Sequence, residues 1–419
     1  MSADNKSIPV LYISYDGMTD PLGQSQVIPY LQGLTIQGYR FTIISFEKAA
    51  RFNELKDHIQ KLLRESEITW VPLTYHKSPP VVSTLYDIYV LRRKAFELYQ
   101  KHNFQIVHCR SYIPALVGLA LKQKTTVKFI FDMRGFWADE RVEGGLWPLN
   151  NPVYRLVYRY FKRKEKQLLQ AANYTITLTH KAQEIIHQWQ VIDTPSIPIQ
   201  VIPCCVDVDL FDPEKIDKAS LKVLRKELGI PADAFVLSYL GSLGTWYMVE
   251  EMLHFYKMLL NIQPNIFFLF ITQDSPQQVE EICKKNNIGL EKIVINSVLR
   301  QEVPLYLSLS NWSIFFIKPM FSKQASSATK MGEIMSMDIP FITNRGWGDV
   351  ELIIEEGCPT ILVNVGSEEE LKKGVNNLFT CRRPPRVLRQ IAFERYDLQV
   401  GIQNYDKVYQ DVFSAARKI

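Results

Sequence analysis

The stretch FVLSYLGS, residues 235–242, begins an alternation of apolar strands and helices for the second time in this chain. Its first six residues form a nearly continuous apolar run, which is typical of a parallel strand buried on both faces. The irregular polar segment VDVDLFDPEKIDKAS (206–220) precedes it, and before that segment apolar runs already alternate with helical spacing. The sequence therefore predicts two successive doubly wound α/β domains, which are Rossmann-like.

Apolar strand candidates recur on both sides of the polar segment, separated by segments with helical spacing. In the first half they are 8–14, 40–46, 68–75, 104–110, 128–134, 174–179 and 199–205, with helices predicted at 25–37, 52–66, 83–101, 112–123, 152–171 and 180–190. In the second half they are 235–242, 266–272, 292–298, 312–319, 340–344 and 359–365. A last helical segment, 397–415, follows the final strand and has no strand of its own to cover. We therefore predict domains at 1–205 and 206–396, and a terminal segment at 397–419.

Bulk composition excludes several classes of protein. The chain has 419 residues, 47% of them hydrophobic and 22% charged, which is a globular composition too long for one ordinary core. No apolar run reaches bilayer length, and the start, MSADNKSIPVLYISY, lacks the features of a secretory signal, so we expect a cytoplasmic protein. Its six cysteines are scattered without metal-site spacing and are predicted to be reduced, mostly buried thiols.

The loops after the strands carry an anion-binding composition rich in Gly, Ser, Thr, Arg and Lys. They are 16–26, 110–114, 133–145, 241–246, 297–302, 318–330 and 344–349. In open parallel sheets, ligands bind beyond the carboxyl ends of the strands. We therefore expect two such domains to enclose a cleft lined by these loops.

The segment SSATKMGEIMSMDIPFIT (326–343) joins such a loop to a helix and a strand. A helix start near Ser327 offers backbone N–H groups to a phosphate, and Ser326, Ser327, Thr329 and Lys330 add donors and charge. Glu333, one turn further on, is placed to accept hydrogen bonds from a vicinal diol such as that of ribose. Alternatively, Ser327 caps the helix and Glu333 favours its dipole. The sequence leaves both interpretations open.

Four stretches, in order along nearly the whole chain, resemble the retaining family 4 glycosyltransferases of GT-B architecture. They are GQSQVIPYLQGLTIQGYRFTIISF (23–46), VIPCCVDVDLFDP (201–213), YLGSLGTW (239–246) and SSATKMGEIMSMDIPFITN (326–344). The resemblance implies transfer of a sugar from a UDP- or GDP-linked donor to an acceptor hydroxyl, with retained anomeric configuration. It also implies that the second domain binds the donor, that the first binds the acceptor, and that the terminal helix crosses back onto the first domain.

The resemblance assigns donor-binding residues position by position. Glu333 matches the second, ribose-binding glutamate of the Glu-x7-Glu motif, whereas the first falls at Ala325. In the loop after the first strand of this domain, Gly241 is retained, but Ser242 takes the position of the family's arginine and Tyr247 stands near that of its lysine. Lys318, Lys323 and Lys330 are the cations available to replace them. Lys330 is the preferred candidate, and Lys323 is expected to be a solvated loop residue.

In the first domain the resemblance places Gly23, Gln24 and Arg110 near the transferred sugar. Gly23 also fits a simple turn after the first strand, and both interpretations stay open. Asp132 and Arg134 fall where the family often has a catalytic side chain, so with Lys330 they are the catalytic candidates. A buried pair of Arg134 with Asp132 or Glu140 that only braces the loop is the competing interpretation.

The chemistry implied is electrostatic. Leaving-group departure develops negative charge on the nucleotide diphosphate, which N–H dipoles and cations stabilise, and the acceptor attacks on the same face. We expect neither a cofactor nor a metal. The Asp207-x-Asp209 spacing resembles a metal motif of other glycosyltransferases, but it lies in the interdomain segment, where the matching family residues are structural.

The expected partners are a nucleotide-sugar and a polysaccharide or lipid-linked glycan acceptor. The basic segment YRLVYRYFKRKEKQLL (154–169) suggests contact with an anionic membrane surface on the inner face of the cell membrane, and a helix packed on the sheet with a solvated basic face is the alternative. No nucleic-acid-binding module is recognisable. Two other functions remain open: a nucleotide-sugar epimerase of GT-B fold, and a non-catalytic protein that binds a nucleotide or a partner.

Overall fold

A computed structural model of the chain describes residues 7–189, 197–355, 358, 360–380 and 386–414. The residues up to Pro203, together with those from Leu398, form one compact unit, and Cys204–Asp397 forms another. Residues 190 and 415, which end two predicted helices, residue 359, which begins a predicted strand, and Cys381 lie outside the described residues.

The first unit alternates strands and helices from its first described residues. Its strands are β1 (Ile8–Ser14), β2 (Tyr39–Glu47), β3 (Thr69–Thr74), β4 (Ile106–Arg110), β5 (Lys128–Asp132), β6 (Tyr174–Thr177) and β7 (Ile199–Val201). Its helices are α1 (Pro21–Gln26), α2 (Ile28–Ile36), α3 (Ala49–Glu65), α4 (Val82–His102), α5 (Tyr112–Lys124), α6 (Trp137–Glu143), α7 (Pro152–Ala171) and α8 (His180–Gln188). The predicted helix at 25–37 is instead two helices broken at Val27, because Pro29 lacks the N–H that a continuous helix needs.

The second unit repeats this alternation. Its strands are β8 (Phe235–Leu240), β9 (Ile266–Ile271), β10 (Ile293–Asn296), β11 (Trp312–Ile314), β12 (Phe341–Asn344) and β13 (Ile361–Val363). Its helices are α9 (Lys218–Glu227), α10 (Val249–Ile262), α11 (Gln277–Lys285), α12 (Val303–Leu307), α13 (Thr329–Ser336), α14 (Val350–Glu355), α15 (Glu368–Thr380) and α16 (Val387–Arg395). Short 3-10 helices occur at Pro213–Lys215 and Phe321–Ala325.

Both sheets are parallel and confirm the predicted fold class. The described strands of the first unit form a seven-stranded sheet in the order β3-β2-β1-β4-β5-β6-β7, and those of the second a six-stranded sheet in the order β10-β9-β8-β11-β12-β13. In each sheet the direction of strand succession reverses beside the first strand, between β1 and β4 and between β8 and β11. Ligands of doubly wound sheets bind at such switch points, so these are the places to look for a site.

The last helix, α17 (Leu398–Ser414), follows the second unit in the chain but belongs to the first. It packs against α2, where Gly33 leaves room for the side chain of Ile402: a Cβ at Gly33 would lie 2.2 Å from Ile402 Cδ1. Tyr39 at the start of β2 donates a hydrogen bond of 2.8 Å to Asp406 on the same helix. Among the described helices, none combines the length and the apolar character needed to cross a membrane.

Candidate functional site

The start of α13 lies at the switch point of the second sheet, in the loop that follows β11. The helix begins at Thr329 after the buried N-cap residue Ala328, and no side chain caps it. The hydroxyl of Ser327 accepts the backbone N–H of Cys204 at 3.1 Å, so the proposed Ser327 cap is wrong. The N–H of Met331 already donates to the Ala328 carbonyl at 2.9 Å, so the N–H groups of Thr329 and Lys330 are the first-turn donors available to an anion. Ser326 and Thr329, also predicted for this site, are half-buried beside it.

Lys330 lies directly inside this helix start and is 7% exposed. Its Nζ lies 3.6 Å from the ring centroid of Tyr247 and 4.3 Å from that of Tyr239, and it donates a hydrogen bond of 3.1 Å to the Tyr239 hydroxyl. Burial holds the pKa of Lys330 well below its usual range, although the charges of Glu333 and Asp274 act in the opposite direction. An anion bound at the helix start would stabilise the protonated form of this amine.

The loop after β8 makes room for this lysine. Gly241 adopts φ +107°, a left-handed conformation that favours glycine, and a Cβ there would lie 3.0 Å from Lys330 Nζ. Ser242 is exposed, and its carbonyl accepts a hydrogen bond from the Tyr239 hydroxyl. Tyr247, near the family's lysine position, forms one aromatic wall around Lys330 instead of supplying a charge, and burial raises its pKa to about 12.

Glu333 lies one turn further along α13 and is 6% exposed. Its Oε1 accepts a hydrogen bond of 2.7 Å from Arg300 Nη1, which also forms an ion pair. The Arg300 guanidinium in turn lies 5.4 Å from the centre of the Phe211 ring. The sequence pattern indicates the loop 297–302 but not Arg300, because only the fold brings this arginine to a carboxylate 33 residues away in the chain.

The two other candidate cations of this loop occupy different environments. Lys318, which is proposed as a cation of the donor site, is exposed to solvent. Lys323, in contrast, is 6% exposed, and its Nζ lies 3.8 Å from the centre of the Trp246 ring. The expectation that Lys323 is a solvated loop cation is therefore wrong. The indole face attracts the ammonium electrostatically and shields it from water.

A polar cluster occupies the switch point of the first sheet. Asp132 ends β5 and is fully buried, Arg110 ends β4, and register pairs the two residues. Asp132 Oδ2 lies 3.9 Å from Arg110 Nη1, and its Oδ1 lies 3.8 Å from Arg134 Nη1. Arg110 Nε also donates a 3.4 Å hydrogen bond to Asp16, just after β1. The structure thus places three of the predicted first-domain residues together.

The charge of Asp132 is maintained by its neighbours. Burial by itself raises the pKa of Asp132, but the positive charge of Arg134 and the hydrogen bond from His108 outweigh it, so the pKa lies below its ordinary value. His108 Nε2 lies 3.4 Å from Asp132 Oδ2, and burial lowers the pKa of His108, which favours the neutral imidazole. Arg134 adopts φ +58°, an unfavourable conformation for a non-glycine residue at this loop.

Two tyrosines of α17 complete this cluster and were missed by the sequence analysis. The Tyr405 hydroxyl donates a 3.2 Å hydrogen bond to Asp132 Oδ2, and the Tyr409 hydroxyl lies 2.7 Å from His108 Nδ1. The sequence predicted the helix but contained no signal for these contacts, since they join residues more than 270 positions apart.

Gly23 and Gln24 lie in α1, within the loop region after β1. A Cβ at Gly23 would lie 2.1 Å from the carbonyl oxygen of Gly17, so the helix can approach its own preceding loop only with glycine here. Gln24 Nε2 donates a 3.0 Å hydrogen bond to the Thr19 carbonyl. Glu47 at the end of β2, a residue the sequence analysis passed over, fixes the same loop by accepting the N–H groups of Met18 and Thr19 at 2.8 and 3.1 Å.

Asp207 and Asp209 serve the turn that leads into the second unit. Asp207 Oδ1 accepts the backbone N–H groups of Asp209 and Leu210 at 3.0 and 2.9 Å. Asp209 is exposed, and its carboxylate lies 3.7 Å from Lys215 Nζ. These contacts give both aspartates a local structural role.

Comparisons with known proteins agree with this architecture. Residues 26–210 match the sequence model of Glycosyltransferase Family 4. Among solved structures, the chain is similar to a glycosyltransferase from Rickettsia africae ESF-5, with 16% identity, a TM-score of 0.72, and coverage of 97% of this chain and 99% of that one. No curated protein sequence gives a significant match.

Two further structures are similar over almost the whole chain. Sucrose-phosphate synthase from Thermosynechococcus elongatus shares 15% identity, with a TM-score of 0.72 and coverage of 97% of this chain and 100% of that one. HepE of Anabaena, solved in complex with UDP and glucose, shares 15% identity, with a TM-score of 0.68 and coverage of 96% and 99%. These likenesses establish the two-domain GT-B fold.

Proposed function

We propose that this chain transfers a sugar from a nucleotide-sugar to an acceptor hydroxyl with retention of the anomeric configuration, because residues 26–210 match the sequence model of Glycosyltransferase Family 4 and the chain has the GT-B fold. The observation that carries this proposal is the uncapped start of α13 with the ammonium of Lys330 directly behind it. Such a helix start combines unpaired N–H donors, a positive dipole end and a cation. These are the groups that a diphosphate needs.

The proposed donor site assigns a separate part of the nucleotide to each group. The diphosphate lies at the N–H groups of Thr329 and Lys330, with Ser326, Ser327 and the backbone of Gly241 beside it. Glu333 uses one carboxylate oxygen for Arg300, and we assign the other to the ribose hydroxyls. Lys318 and Ser242, both exposed in the flanking loops, complete the proposed donor contacts. UDP or GDP is the proposed carrier.

Catalysis in this proposal is electrostatic and needs no metal. As the bond between the anomeric carbon and the phosphate breaks, negative charge accumulates on the diphosphate, and the α13 dipole and Lys330 stabilise that charge. Arg134 is the proposed catalytic cation of the first unit. Asp132, ionised and ion-paired, holds Arg134 and Arg110 and is not a proton carrier. The acceptor attacks on the face from which the phosphate leaves, and the phosphate takes its proton.

The acceptor proposed is a hydroxyl of a growing polysaccharide or a lipid-linked glycan, bound in the first unit near Gly23 and Gln24. We also propose a cytoplasmic protein that associates peripherally with an anionic membrane through α7. Arg159 and Arg163 are exposed on this helix, whereas Lys162 is neutralised by Asp139 and Glu165 at 2.8 and 2.5 Å and is not available to a membrane.

The donor site is tested by calorimetry with UDP, GDP, ADP and CMP against the wild type and Glu333→Gln. We expect one of the diphosphates to bind, and Glu333→Gln to weaken it about tenfold or more, because a charged acceptor of a ribose hydroxyl is replaced by a neutral one. Glu302→Gln is the matched control: this carboxylate accepts the N–H of Leu299 in the same loop as Arg300 and is expected to leave affinity unchanged. The assignment fails if no nucleotide binds or if Glu333→Gln binds as the wild type does.

A transfer assay distinguishes this function from its alternatives. A glycosyltransferase releases the nucleoside diphosphate in proportion to acceptor, whereas an epimerase converts the donor without acceptor. A non-catalytic protein binds the donor and releases nothing.

A further inference from the structure

The first unit contains a cavity of about 1130 Å³ that lies away from the polar cluster at Asp132. Helices α4, α5 and α7, with the segment around α6, form its walls. Binding sites for drug-sized molecules are typically about 300–1,000 Å³, so this cavity is large enough for a sizeable ligand. The donor and catalytic proposals use none of it.

The inner walls of the cavity are apolar. On α5, Leu116 and Ala120 stand one turn apart and therefore share a face. Ile88 of α4 and Val157 of α7 line the other walls, together with the ring of Trp147. These side chains are only half-buried. Apolar groups contribute the most favourable free energy when they are fully removed from water, so a ligand that covers them would be stabilised. The walls therefore suit a hydrocarbon chain.

The mouth of the cavity exposes large apolar side chains, including Leu156 at 70% and Leu85 at 61%. The two halves of α7 differ in this respect. Its second half buries Phe161, Leu168 and Leu169 against the unit, as a helix packed on a sheet should. Its first half leaves Leu156 unpacked. Packing within the unit does not cover Leu156, whereas an apolar ligand in the cavity would.

The charges around the cavity have a single sign. Of the described residues that line it, seven are Lys or Arg and none is Asp or Glu. Arg92 of α4, Lys124 of α5, and Arg159, Arg163 and Lys164 of α7 are among these cations. No described carboxylate lies within ion-pair distance of these five, unlike Lys162 on the same helix, which has two such partners. An anionic group would balance this charge.

Two residues that line the cavity stand at the edge of the sheet where the polar cluster lies. Tyr15, which lines it, directly follows β1 and precedes Asp16, the partner of Arg110. Trp137, another lining residue, follows β5 and the loop of Arg134. A chain held in the cavity would therefore carry its head group toward the edge that bears the catalytic candidates.

We propose that this cavity binds the hydrocarbon chain of an anionic amphiphile, a lipid with a phosphate or diphosphate head group that carries the acceptor sugar. This inference rests on the proposed function, since it names the chemical class of the acceptor. The apolar walls hold the chain, the cations of α4, α5 and α7 hold the head group, and the sugar reaches the edge beside Asp16.

The test uses the full chain and dodecyl phosphate below its micellar concentration, with binding measured by calorimetry. Ethyl phosphate supplies the head group alone, and dodecyl maltoside the chain with a neutral head. We expect dodecyl phosphate to bind at least about tenfold more tightly than either, because each buried methylene and each ionic contact adds to affinity. Equal binding of ethyl phosphate or of dodecyl maltoside overturns the proposal.

Two variants locate the binding. Leu116→Trp fills the cavity from α5 and is expected to abolish dodecyl phosphate binding. The double change Arg159→Glu and Arg163→Glu alters only exposed side chains, so folding is preserved, and it is expected to weaken binding about tenfold or more. Lys166→Glu is the matched control, since this exposed cation lies on the same helix but outside the cavity lining. Equal weakening by the double variant and by Lys166→Glu contradicts a specific site.

Bilayer docking is distinguished by flotation with vesicles of phosphatidylglycerol and phosphatidylcholine. If Leu116→Trp retains both vesicle and dodecyl phosphate binding, the surface binds membranes and the cavity proposal is wrong. Failure of UDP and GDP to bind, with dodecyl phosphate still bound, overturns the donor site and leaves the cavity site standing.

Discussion

Lys330 carries its charge in an environment that opposes it. Two tyrosine rings and the Tyr239 hydroxyl surround its Nζ, and burial holds its pKa well below the usual range. An unfolded lysine keeps its proton up to a pH of about 10.4. Between the lowered pKa and that value, the unfolded chain binds more protons than the folded one. The free energy of unfolding contributed by this group therefore rises with pH across that window.

Lys330→Met is expected to separate stability from donor binding. The substitution removes a buried charge while keeping an unbranched side chain of similar length, so the folded state is expected to be as stable as the wild type or more stable at pH 7. Affinity for the nucleoside diphosphate is expected to fall about tenfold or more, because the diphosphate loses a cation. Thermal unfolding and calorimetry measure the two effects.

Proton uptake provides the control for this interpretation. A diphosphate beside Lys330 favours the protonated amine, so binding above its lowered pKa is expected to take up protons, which calorimetry in buffers of different ionisation enthalpy detects. Lys318→Met removes an exposed cation of the same loop and is expected to leave the uptake intact. Uptake that persists in Lys330→Met would show that another group is responsible.

At the scale of single residues, the sequence was sufficient to predict that side chains within one helix start lie close together. Lys330 and Glu333 stand within one helix start, so their proximity follows from helical geometry. Arg300, Tyr405 and Tyr409 could not be found in this way. Each reaches its partner only after sheet formation or helix packing brings distant parts of the chain together.

At the scale of the element, the apolar runs predicted every described strand, but several predicted strands extend past the observed end. The predicted strand at 312–319 ends at Ile314, and that at 199–205 ends at Val201. Apolar composition continues into the loops there because the loop side chains are also buried, as Ile317 and Cys205 are. Hydrophobicity reports burial, and burial does not stop where the hydrogen-bond ladder does.

The turn between β8 and α10 provides the prediction for this scale. Gly241→Ala is expected to destabilise the second unit by about 1–3 kcal/mol, because alanine is strained at φ +107° and its Cβ would lie 3.0 Å from Lys330 Nζ. Donor affinity is expected to fall as well, since the lysine must shift. Chemical denaturation and calorimetry measure the two effects.

Gly244→Ala is the matched control in the same turn. Its φ is not left-handed, and the nearest atom to a Cβ there would be Ser242 Oγ at 4.0 Å. We expect stability and affinity near those of the wild type. If both glycine variants behave alike, the conformation of Gly241 is not what positions Lys330.

At the scale of the whole molecule, the chain returns to its first unit after completing the second. The terminal helix α17 then contributes the Tyr405 hydroxyl to Asp132. The resemblance to the family predicted such a return, and the sequence pattern predicted only a helix without a strand. Neither indicated that the helix would supply polar contacts to the buried cluster.

Tyr405→Phe is expected to lower the free energy of unfolding by about 1–3 kcal/mol, because a buried carboxylate loses a donor. It is also expected to lower kcat, because Asp132, which holds Arg134 and Arg110, loses the hydrogen bond that fixes its position. Tyr39→Phe is the control, since it removes the hydrogen bond to Asp406 on the same helix without touching Asp132. A kcat that falls equally in both variants would mean that helix packing alone matters.

A crystal structure of the full chain with the nucleoside diphosphate that calorimetry selects would show the donor site itself. We expect the diphosphate within hydrogen-bond distance of the backbone N–H groups of Thr329 and Lys330 and the ribose on the carboxylate of Glu333. A nucleotide bound elsewhere in the second unit, or a Glu333 carboxylate that makes no contact with the ribose, would contradict it.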